Sequence, residues 1–283
     1  MQAIMMFATY AGYALACYLP IAYILRLVMN WKASKAYNSD DLILGGNYAV
    51  ALRRGGAHLG LAIAMIGVAS GQASTNLLAD MAAMFAYGLM AAGFMVTSLM
   101  VTDKLILPGV NNTGELAKNN LAVGIVEFGA MVMTGIIAYA SIHGDGGSWV
   151  ASVVYFLAGQ ALLVLLTLAY EKIFAARDLV ARISRGELAS GIYLAGKLVA
   201  YGLIMQAAII GPVRGDHVSA AMEFGVTAIG GLALLFIFEW LVDWLLVTST
   251  KVREIIEKNQ ISAAIQLTLP KVGFAMFLGV AML

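Results

Sequence analysis

The sequence predicts an all-α integral membrane protein with eight transmembrane helices, organised as four parallel two-helix repeats. Of its 283 residues, 61% are hydrophobic and 12% are charged, whereas a soluble domain is closer to half apolar and a quarter charged. The apolar residues form long runs, each of which reaches the ~20 residues that a bilayer crossing requires. Backbone polar groups must be satisfied within lipid, so these runs should be helices. The expected spans are 7–29, 48–71, 79–102, 120–142, 149–170, 188–211, 219–247 and 261–283.

The first run is expected to remain in the protein as a span. No basic residue precedes it, its first charged side chain is Arg26 at the far end, and no small-residue cleavage site leads from it into a soluble domain. Cys17 is the single cysteine, so it has no intrachain disulfide partner, and packing is its expected role.

The basic residues predict the orientation. Sixteen of the 17 Lys and Arg residues lie on, or within a few turns of, the face that holds the connectors 30–47, 103–119, 171–187 and 248–260, and only Arg214 lies on the opposite face. Under the positive-inside rule this face is cytoplasmic, so both termini should be periplasmic. Twelve of the 16 acidic residues also lie on this side, a balance too mixed for a nucleic-acid surface.

A short signature recurs four times, at offsets of 73, 67 and 73 residues. Its copies stand at the same end of every second span, which indicates duplication of a unit of two spans and one connector. Because two crossings restore the orientation, the four units should be parallel, unlike the inverted repeats of many transporters. Two units form each half of the chain, 1–146 and 147–283. The copies read GNYAVAL (46–52), NNLAVGI (119–125), GELASGI (186–192) and NQISAAI (259–265).

The columns of the signature predict how each connector passes into its membrane helix. The first column holds only Gly or Asn, which tolerate the left-handed backbone that ends a helix. The second column would cap the following helix, although Glu and Gln are poorer caps than Asn. The small residues that follow would let alternate helices approach closely, and we expect such faces to allow a homo-oligomer. The second-column residues form a predicted polar mouth on the cytoplasmic side: Asn47, Asn120, Glu187 and Gln260.

Charged residues continue into the spans. Arg53 and Arg54 fall within about a turn of the cytoplasmic edge at 1.5 Å per residue, so we expect them to extend toward the lipid headgroups, with a functional role as the alternative. Deeper charges should face the bundle interior, where they either form ion pairs or line a polar pathway. The expected intramembrane charge cluster comprises Arg54, His58, Glu127, Lys197, Glu239, Asp243 and Lys271.

Enzyme chemistry has little support in the sequence. The motifs HExxH, CxxC, GxSxG and the Walker loop do not occur, and no connector is much longer than ~20 residues, too short for a soluble catalytic domain. We therefore expect no catalytic residue, cofactor or metal. The candidates for an intramembrane enzyme are two outer pairs, His143 with Asp145 and Asp216 with His217.

The stretch DDLILGGNYAVALRRGGAHLGLAIAM, residues 40–65, resembles the family called domain of unknown function 350. The shared pattern is an acidic residue, an apolar turn, Gly-Asn-x-Ala-x-Ala and then a Gly-rich apolar helix. That family's unit has two spans and occurs in tandem in bacterial inner-membrane proteins, so the resemblance implies this location. The family has no established reaction. Its genes often stand beside membrane-stress proteins of the phage-shock type and polyamine-related enzymes, which are the partners that the resemblance implies.

Three hypotheses follow from these observations. The first is a non-enzymatic membrane component of envelope homeostasis that acts as a platform for cytoplasmic partners. The second is an ion or small-solute pathway through the bundle, lined by the polar mouth and the intramembrane charge cluster. The third, an intramembrane enzyme, would need a convergent acid–base or metal cluster.

Overall fold

A computed structural model describes residues 2–70, 76–143, 148–173, 178–211, 217–246 and 252–283. Eight helices in these ranges are long and apolar enough to cross a membrane, which confirms the predicted fold class. The predicted boundary between the halves, at Gly146 and Gly147, lies outside the described residues. The long helices are α1 (Gln2–Ala33), α3 (Tyr48–Ala69), α4 (Leu77–Val101), α6 (Leu121–Ile142), α7 (Trp149–Ile173), α9 (Leu188–Ile210), α10 (His217–Leu246) and α12 (Ile261–Ala281).

Four short helices of six residues each precede α3, α6, α9 and α12. They are α2 (Ser39–Leu44), α5 (Asn112–Ala117), α8 (Leu179–Ser184) and α11 (Val252–Glu257). Repeat 1 is therefore α1–α3, repeat 2 is α4–α6, repeat 3 is α7–α9 and repeat 4 is α10–α12. Each of α5, α8 and α11 contacts the long helix that follows it and also the corresponding helix of the preceding repeat. The short helices thus lie at one end of the bundle, the connector end, and the repeats are parallel as predicted.

Every second long helix belongs to a central layer, the inner row, which consists of α3, α6, α9 and α12. Helix α3 packs along α6, α6 along α9, and α9 along α12. Within the described ranges no comparable contact joins α12 to α3, so the row is open at both ends.

The other four long helices, α1, α4, α7 and α10, are the outer helices. Helix α4 lies against α3 and α6, α7 against α6 and α9, and α10 against α9 and α12. Each of these three therefore covers the groove between two neighbouring inner helices. Helix α1 packs on α3 and α4, and in the part of the chain that the structure describes α3 is the one inner helix packed beside it.

Small residues allow the inner helices to touch through their backbones. A Cβ atom added to Gly135 of α6 would lie 2.3 Å from the carbonyl oxygen of Gly60 in α3, and one added to Gly191 of α9 would lie 2.7 Å from the carbonyl oxygen of Ala122 in α6. Such distances leave no room for a side chain. The close approach predicted from the small columns of the signature is confirmed.

Candidate functional site

Each short helix ends in the same turn at the connector end. The first-column residues all have a left-handed backbone, with φ of 87° at Gly46, 61° at Asn119, 85° at Gly186 and 48° at Asn259. In the first repeat, the N–H of Asn47 bonds to the carbonyl of Leu42 at 2.9 Å and the N–H of Gly46 to that of Ile43 at 3.0 Å, and the other repeats share this pattern. This is the Schellman arrangement, which satisfies carbonyl groups at a helix end. The prediction from the first column is confirmed in all four repeats.

The second-column residue is the N-cap of each inner helix. The side-chain oxygen of Asn47 accepts the N–H of Val50 at 2.9 Å, and that of Asn120 accepts two first-turn N–H groups at 3.1 and 3.3 Å. Neither Glu187 nor Gln260 makes a side-chain cap bond. The capping prediction is therefore wrong for these two, in keeping with the weaker capping of longer side chains.

The same two asparagines also bind the next repeat. The Nδ2 of Asn47 donates to the carbonyl of Leu116 in α5 at 2.8 Å, and the Nδ2 of Asn120 donates to the carbonyl of Ser184 in α8 at 3.0 Å. Each amide thus caps the start of its own membrane helix with its oxygen and the end of the neighbouring short helix with its nitrogen. These bonds occupy carbonyls that the short helix cannot satisfy internally.

The contacts between successive repeats form three junctions. In the third, between repeats 3 and 4, an arginine instead of an asparagine caps the end of the next short helix. Glu187 cannot donate a hydrogen bond, and instead Arg182 donates to the carbonyl of Glu257 at the end of α11, at 3.3 Å. Arg182 also binds the Glu187 carboxylate at 2.8 Å, as does Arg185. Partial burial raises the pKa of Glu187, but the bonds from Arg185 and Arg182 outweigh it, so the net pKa lies below its ordinary value.

Bonds in the opposite direction reinforce two of the junctions. The side-chain oxygen of Asn119 accepts the N–H of Ala49 in the preceding repeat at 3.1 Å, and that of Asn259 accepts the N–H of Ala189 at 2.9 Å. Gly186 stands in this column in repeat 3 and has no side chain. Repeats 1 and 2, and repeats 3 and 4, are therefore joined in both directions, while repeat 2 joins repeat 3 in one.

The predicted mouth residues lie along a line at the connector end. They occupy the starts of four helices in an open row, so the first three each lie beside the next repeat and Gln260 lies at the free end of the row. Asn47 is buried, Asn120 and Glu187 are half-buried, and Gln260 is exposed. The side chains of the first three are engaged by neighbouring groups, as described above. This geometry makes Asn47 and Asn120 joints between repeats, while Glu187 binds Arg182, the residue that joins repeat 3 to repeat 4.

The first-half charges include a buried ion pair between inner helices. Nε of Arg53 lies 3.0 Å from a carboxylate oxygen of Glu127, and the two side chains are 4% and 0% exposed. Arg53 also donates to the hydroxyl of Tyr37 at 3.3 Å. The expectation that Arg53 extends to the headgroups is therefore wrong, because its side chain points from α3 into α6.

Arg54 points the other way and meets the first short helix. It forms an ion pair with Asp40, which also binds Arg26 at 2.9 Å. Hydrogen bonds from Arg54 and Arg26 lower the pKa of Asp40 to about 2. His58 is half-buried, and its backbone carbonyl accepts the hydroxyl of Tyr18 at 3.2 Å.

The second-half charges gather between α9, α10 and α12. Nζ of Lys197 lies 3.0 Å from Glu239, and Nζ of Lys271 lies 3.1 Å from Asp243. The ring of Tyr193 lies near both ammonium groups, with 5.3 Å from its centroid to Lys197 and 5.5 Å to Lys271. Cation–π contacts of this kind partly replace the water that a buried ammonium lacks.

The predicted intramembrane cluster thus divides into two groups at different places in the bundle. Arg54, His58 and Glu127 lie in the first half, and the remaining four residues lie in the second. The sequence analysis did not identify Glu127 as the partner of Arg53, and it did not include Tyr193 in the charge cluster. Arg53 and Tyr193 both lie on inner-row helices.

The opposite end of the bundle holds the candidates for enzyme chemistry. Nδ1 of His143 lies 2.6 Å from the hydroxyl of Ser70, while Asp145 and Asp216 lie outside the described residues. Among the residues that the structure describes, no three His, Cys, Asp or Glu side chains stand together as metal ligands. A cavity of about 90 Å³ at this end is lined by residues that include Tyr155, Glu223 and Phe224.

The chain was compared with protein families, curated proteins and solved structures. The family model described as Domain of Unknown Function (DUF350) matches residues 2–142 and again residues 146–282, and each range contains two of the four repeats. No curated protein and no solved structure matches the chain. Because the family model covers nearly all of the chain, this multi-pass helical protein belongs to the DUF350 family, whose domain it carries in tandem.

Proposed function

We propose that the protein is a non-enzymatic component of the bacterial inner membrane whose connector end is a platform for cytoplasmic partners in envelope homeostasis. The observation that carries this proposal is the bonding between repeats. Side chains of repeats 1, 2 and 3 each cap the short helix of the following repeat. The four short helices are thereby held in a fixed row, as a docking surface requires.

The outer surface of this row carries charges that a partner can use. On α11, Arg253 pairs with Glu257 at 2.6 Å, and Lys258, which follows the helix, pairs with Glu254. All four side chains are within reach of solvent. Exposed ion pairs of this kind contribute little to stability. They can therefore be exchanged for contacts with a partner at small cost, and the excess of basic residues at this end supports its cytoplasmic placement.

The buried charges support a platform over a solute pathway. Arg53, Lys197 and Lys271 each have a carboxylate within 3.1 Å. The first two pairs are buried on both sides, and leaving one member of a buried pair without its partner costs roughly 3–5 kcal/mol. The cavity described beside Arg53 and Arg54 has about 10 Å³, roughly the space that a single water molecule needs. A solute that followed these charges would have to separate the pairs.

Cysteine labelling tests the orientation. In a Cys17→Ala background, a membrane-impermeant maleimide applied to intact spheroplasts should label Leu78→Cys, at the end opposite the connectors, and should leave Lys258→Cys unlabelled. Permeabilising the membrane should expose Lys258→Cys. The reverse pattern would overturn the orientation and with it a cytoplasmic platform.

Photocrosslinking tests the platform itself. A photoreactive residue at Lys258 should crosslink to a peripheral cytoplasmic protein, whereas the same residue at Leu78, which is also exposed, should not. With the photoreactive residue kept at position 258, Arg253→Glu should weaken the crosslink. The double variant Arg253→Glu/Lys258→Glu, which carries no photoreactive residue, should reproduce the envelope-stress phenotype of a deletion strain. The proposal fails if no connector-end position yields a crosslink and the deletion strain responds normally. Ion flux in liposomes that disappears in Lys197→Met would favour the pathway.

A further inference from the structure

The three junctions of the inner row use the same positions. At one level in each junction, a glycine on one helix faces a larger residue on the next helix. A Cβ added to that glycine would lie 2.8, 2.7 or 1.8 Å from the facing residue, so each contact is tight. The three pairs are Gly56 with Phe128, Gly129 with Ala195, and Gly196 with Thr268.

The two ends of the row present the next members of this series to the outside. The residue of α12 that corresponds to the glycines is Leu269, which is 64% exposed. The residue of α3 that corresponds to the facing positions is Gly55. Among the described residues, and apart from its own helix backbone, no atom lies within 4 Å of a Cβ position there. Inside the row, the glycine lies on the earlier helix and the larger residue on the later one. At the free ends the larger residue, Leu269, lies on α12 and the glycine, Gly55, on α3, so the two ends still match a large residue with a small one.

Further along α12 and α3, other residues that are packed in the internal junctions are also exposed. Gly273 has open space where a Cβ would be, although the equivalent Gly60 of α3 is packed against α6. Val280 near the end of α12 and Ile66 near the end of α3 are both exposed. They correspond to the two sides of the packed contact between Gly67 and Tyr139 in the first junction.

Among the described residues, the outer helix α1 also lacks a neighbour that its equivalents α4 and α10 have. Leu19 of α1 is 57% exposed, whereas Ala92 of α4 and Leu232 of α10, at the equivalent positions, are 6% and 3% exposed. Helices α4 and α10 each cover a groove between two inner helices, and α1 has one inner helix beside it. A second inner helix beside α1 would bury this leucine.

At the connector end, the two free ends of the row also hold an exposed donor and an exposed residue with the corresponding acceptor carbonyl. Gln260 occupies the column of Asn47 and Asn120, has an amide that can donate, and is exposed. In the joint between repeats 2 and 3 the acceptor is the carbonyl of Ser184. The equivalent residue at the end of α2 is Leu44, which is 87% exposed. The donor lies at one end of the row and its acceptor at the other.

We propose that a second copy of this chain continues the inner row, with α12 of one copy packed against α3 and α1 of the next. Lipid alone can cover an apolar helix face, so exposure does not carry the argument. It is carried by continuity with the three existing junctions, by the exchanged Leu269 and Gly55, and by the amide and carbonyl at opposite ends. Such a head-to-tail interface builds a ring or an open row in the membrane plane. It does not depend on the side that the connector end faces.

Disulfide crosslinking between two tagged copies tests this arrangement. In a Cys17→Ala background, one copy carries Leu269→Cys and the other Gly55→Cys, and oxidation of native membranes should join the two tags. Two copies of Leu269→Cys, or two of Gly55→Cys, should not crosslink. The lipid-facing control Leu157→Cys should not crosslink to Gly55→Cys. Crosslinks between identical positions would show a twofold interface and overturn the proposal, as would the absence of any crosslink.

A size exchange provides a second test on the folded protein. Gly55→Leu should weaken association about tenfold or more, the effect of ~1.4 kcal/mol of overpacking. Gly93→Leu, at an equally open position on α4, should leave association unchanged. Adding Leu269→Gly to Gly55→Leu should restore it, because this pair matches the three internal junctions. Native mass spectrometry from nanodiscs measures the outcome, and equal oligomer populations in all variants would contradict the proposal.

Discussion

Replacing Arg53 with methionine should destabilise the protein by an amount that depends strongly on pH. Methionine keeps an unbranched apolar stem in the contact with α6, but it removes the cation 3.0 Å from Glu127. Glu127 is fully buried and lies ~10 Å along the helix axis beyond Asn120 at 1.5 Å per residue. Its short side chain cannot reach water, so the carboxylate has to be neutralised when Arg53 is absent.

The size of the effect follows from the cost of adding a proton to Glu127. A glutamic acid in water has a pKa of about 4.3, so holding it protonated at pH 7 costs about 1.36 × (7 − 4.3), or ~3.7 kcal/mol. The same calculation gives ~1 kcal/mol at pH 5. The folded variant binds a proton that its unfolded chain does not hold above pH 4.3, so its stability should rise as the pH falls from 7 to 5. Loss of the packing and hydrogen bond of Arg53 adds a cost that does not depend on pH.

Unfolding free energies in bicelles, measured by steric trapping at pH 5 and pH 7, test this reasoning. Arg53→Met should lose ~3 kcal/mol more, relative to the wild type, at pH 7 than at pH 5. Arg53→Met/Glu127→Gln keeps the side-chain shape and removes the titrating group, so its loss should be equal at the two pH values. An equal loss at both pH values for Arg53→Met itself would refute the argument that Glu127 depends on Arg53 for its charge.

Three further predictions concern the joints and the packing. Asn120→Ala should cost ~1–2 kcal/mol in the same unfolding assay, because it removes an N-cap and a bond to the next repeat, whereas Asn120→Asp should keep the cap and lose the bond. Gly129→Ala should destabilise by ~1–3 kcal/mol through overpacking, while Gly93→Ala, which has open space around it, should be neutral or slightly stabilising. Because Arg54 holds the pKa of Asp40 at about 2, the melting-temperature advantage of the wild type over Asp40→Asn should be constant above pH 5 and should disappear as the pH falls from about 4 toward 2.

The turns at the connector end could be predicted because they depend on neighbouring residues alone. A Gly or Asn at the end of a short apolar helix is enough for a left-handed residue and a Schellman turn, and the structure has one at Gly46, Asn119, Gly186 and Asn259. The eight spans follow in the same way from length and hydropathy. Nothing distant in the chain is needed for either inference.

The partners of polar side chains were harder to predict because they depend on which helix lies alongside. Arg53 was expected to reach the headgroups, yet a signal for its burial exists in the sequence. It lies four residues after Ala49 and three before Gly56, and both of these face α6. Residues at this spacing share one helix face. Arg53 is therefore on the side that packs in the row, and Glu127 is the acid that α6 offers there.

The repeats retain the function of their joints, whereas their buried ion pairs differ from one repeat to the next. The last carbonyls of α5, α8 and α11 are each bound from the preceding repeat, by Asn47, Asn120 and Arg182, so the joint persists although its residue changes. At the position of Arg53, the second half has Tyr193.

The buried pairs differ between the halves in the same way. Arg53–Glu127 joins two inner helices, whereas Lys197–Glu239 joins an inner helix to the outer helix α10. A pathway with fourfold symmetry would need equivalent polar groups in every repeat, and these repeats do not have them. A fixed row of connectors needs only the joints, which all three junctions retain. The feature that the duplicated units share is therefore the joint between short helices, which holds the connector end in a fixed row.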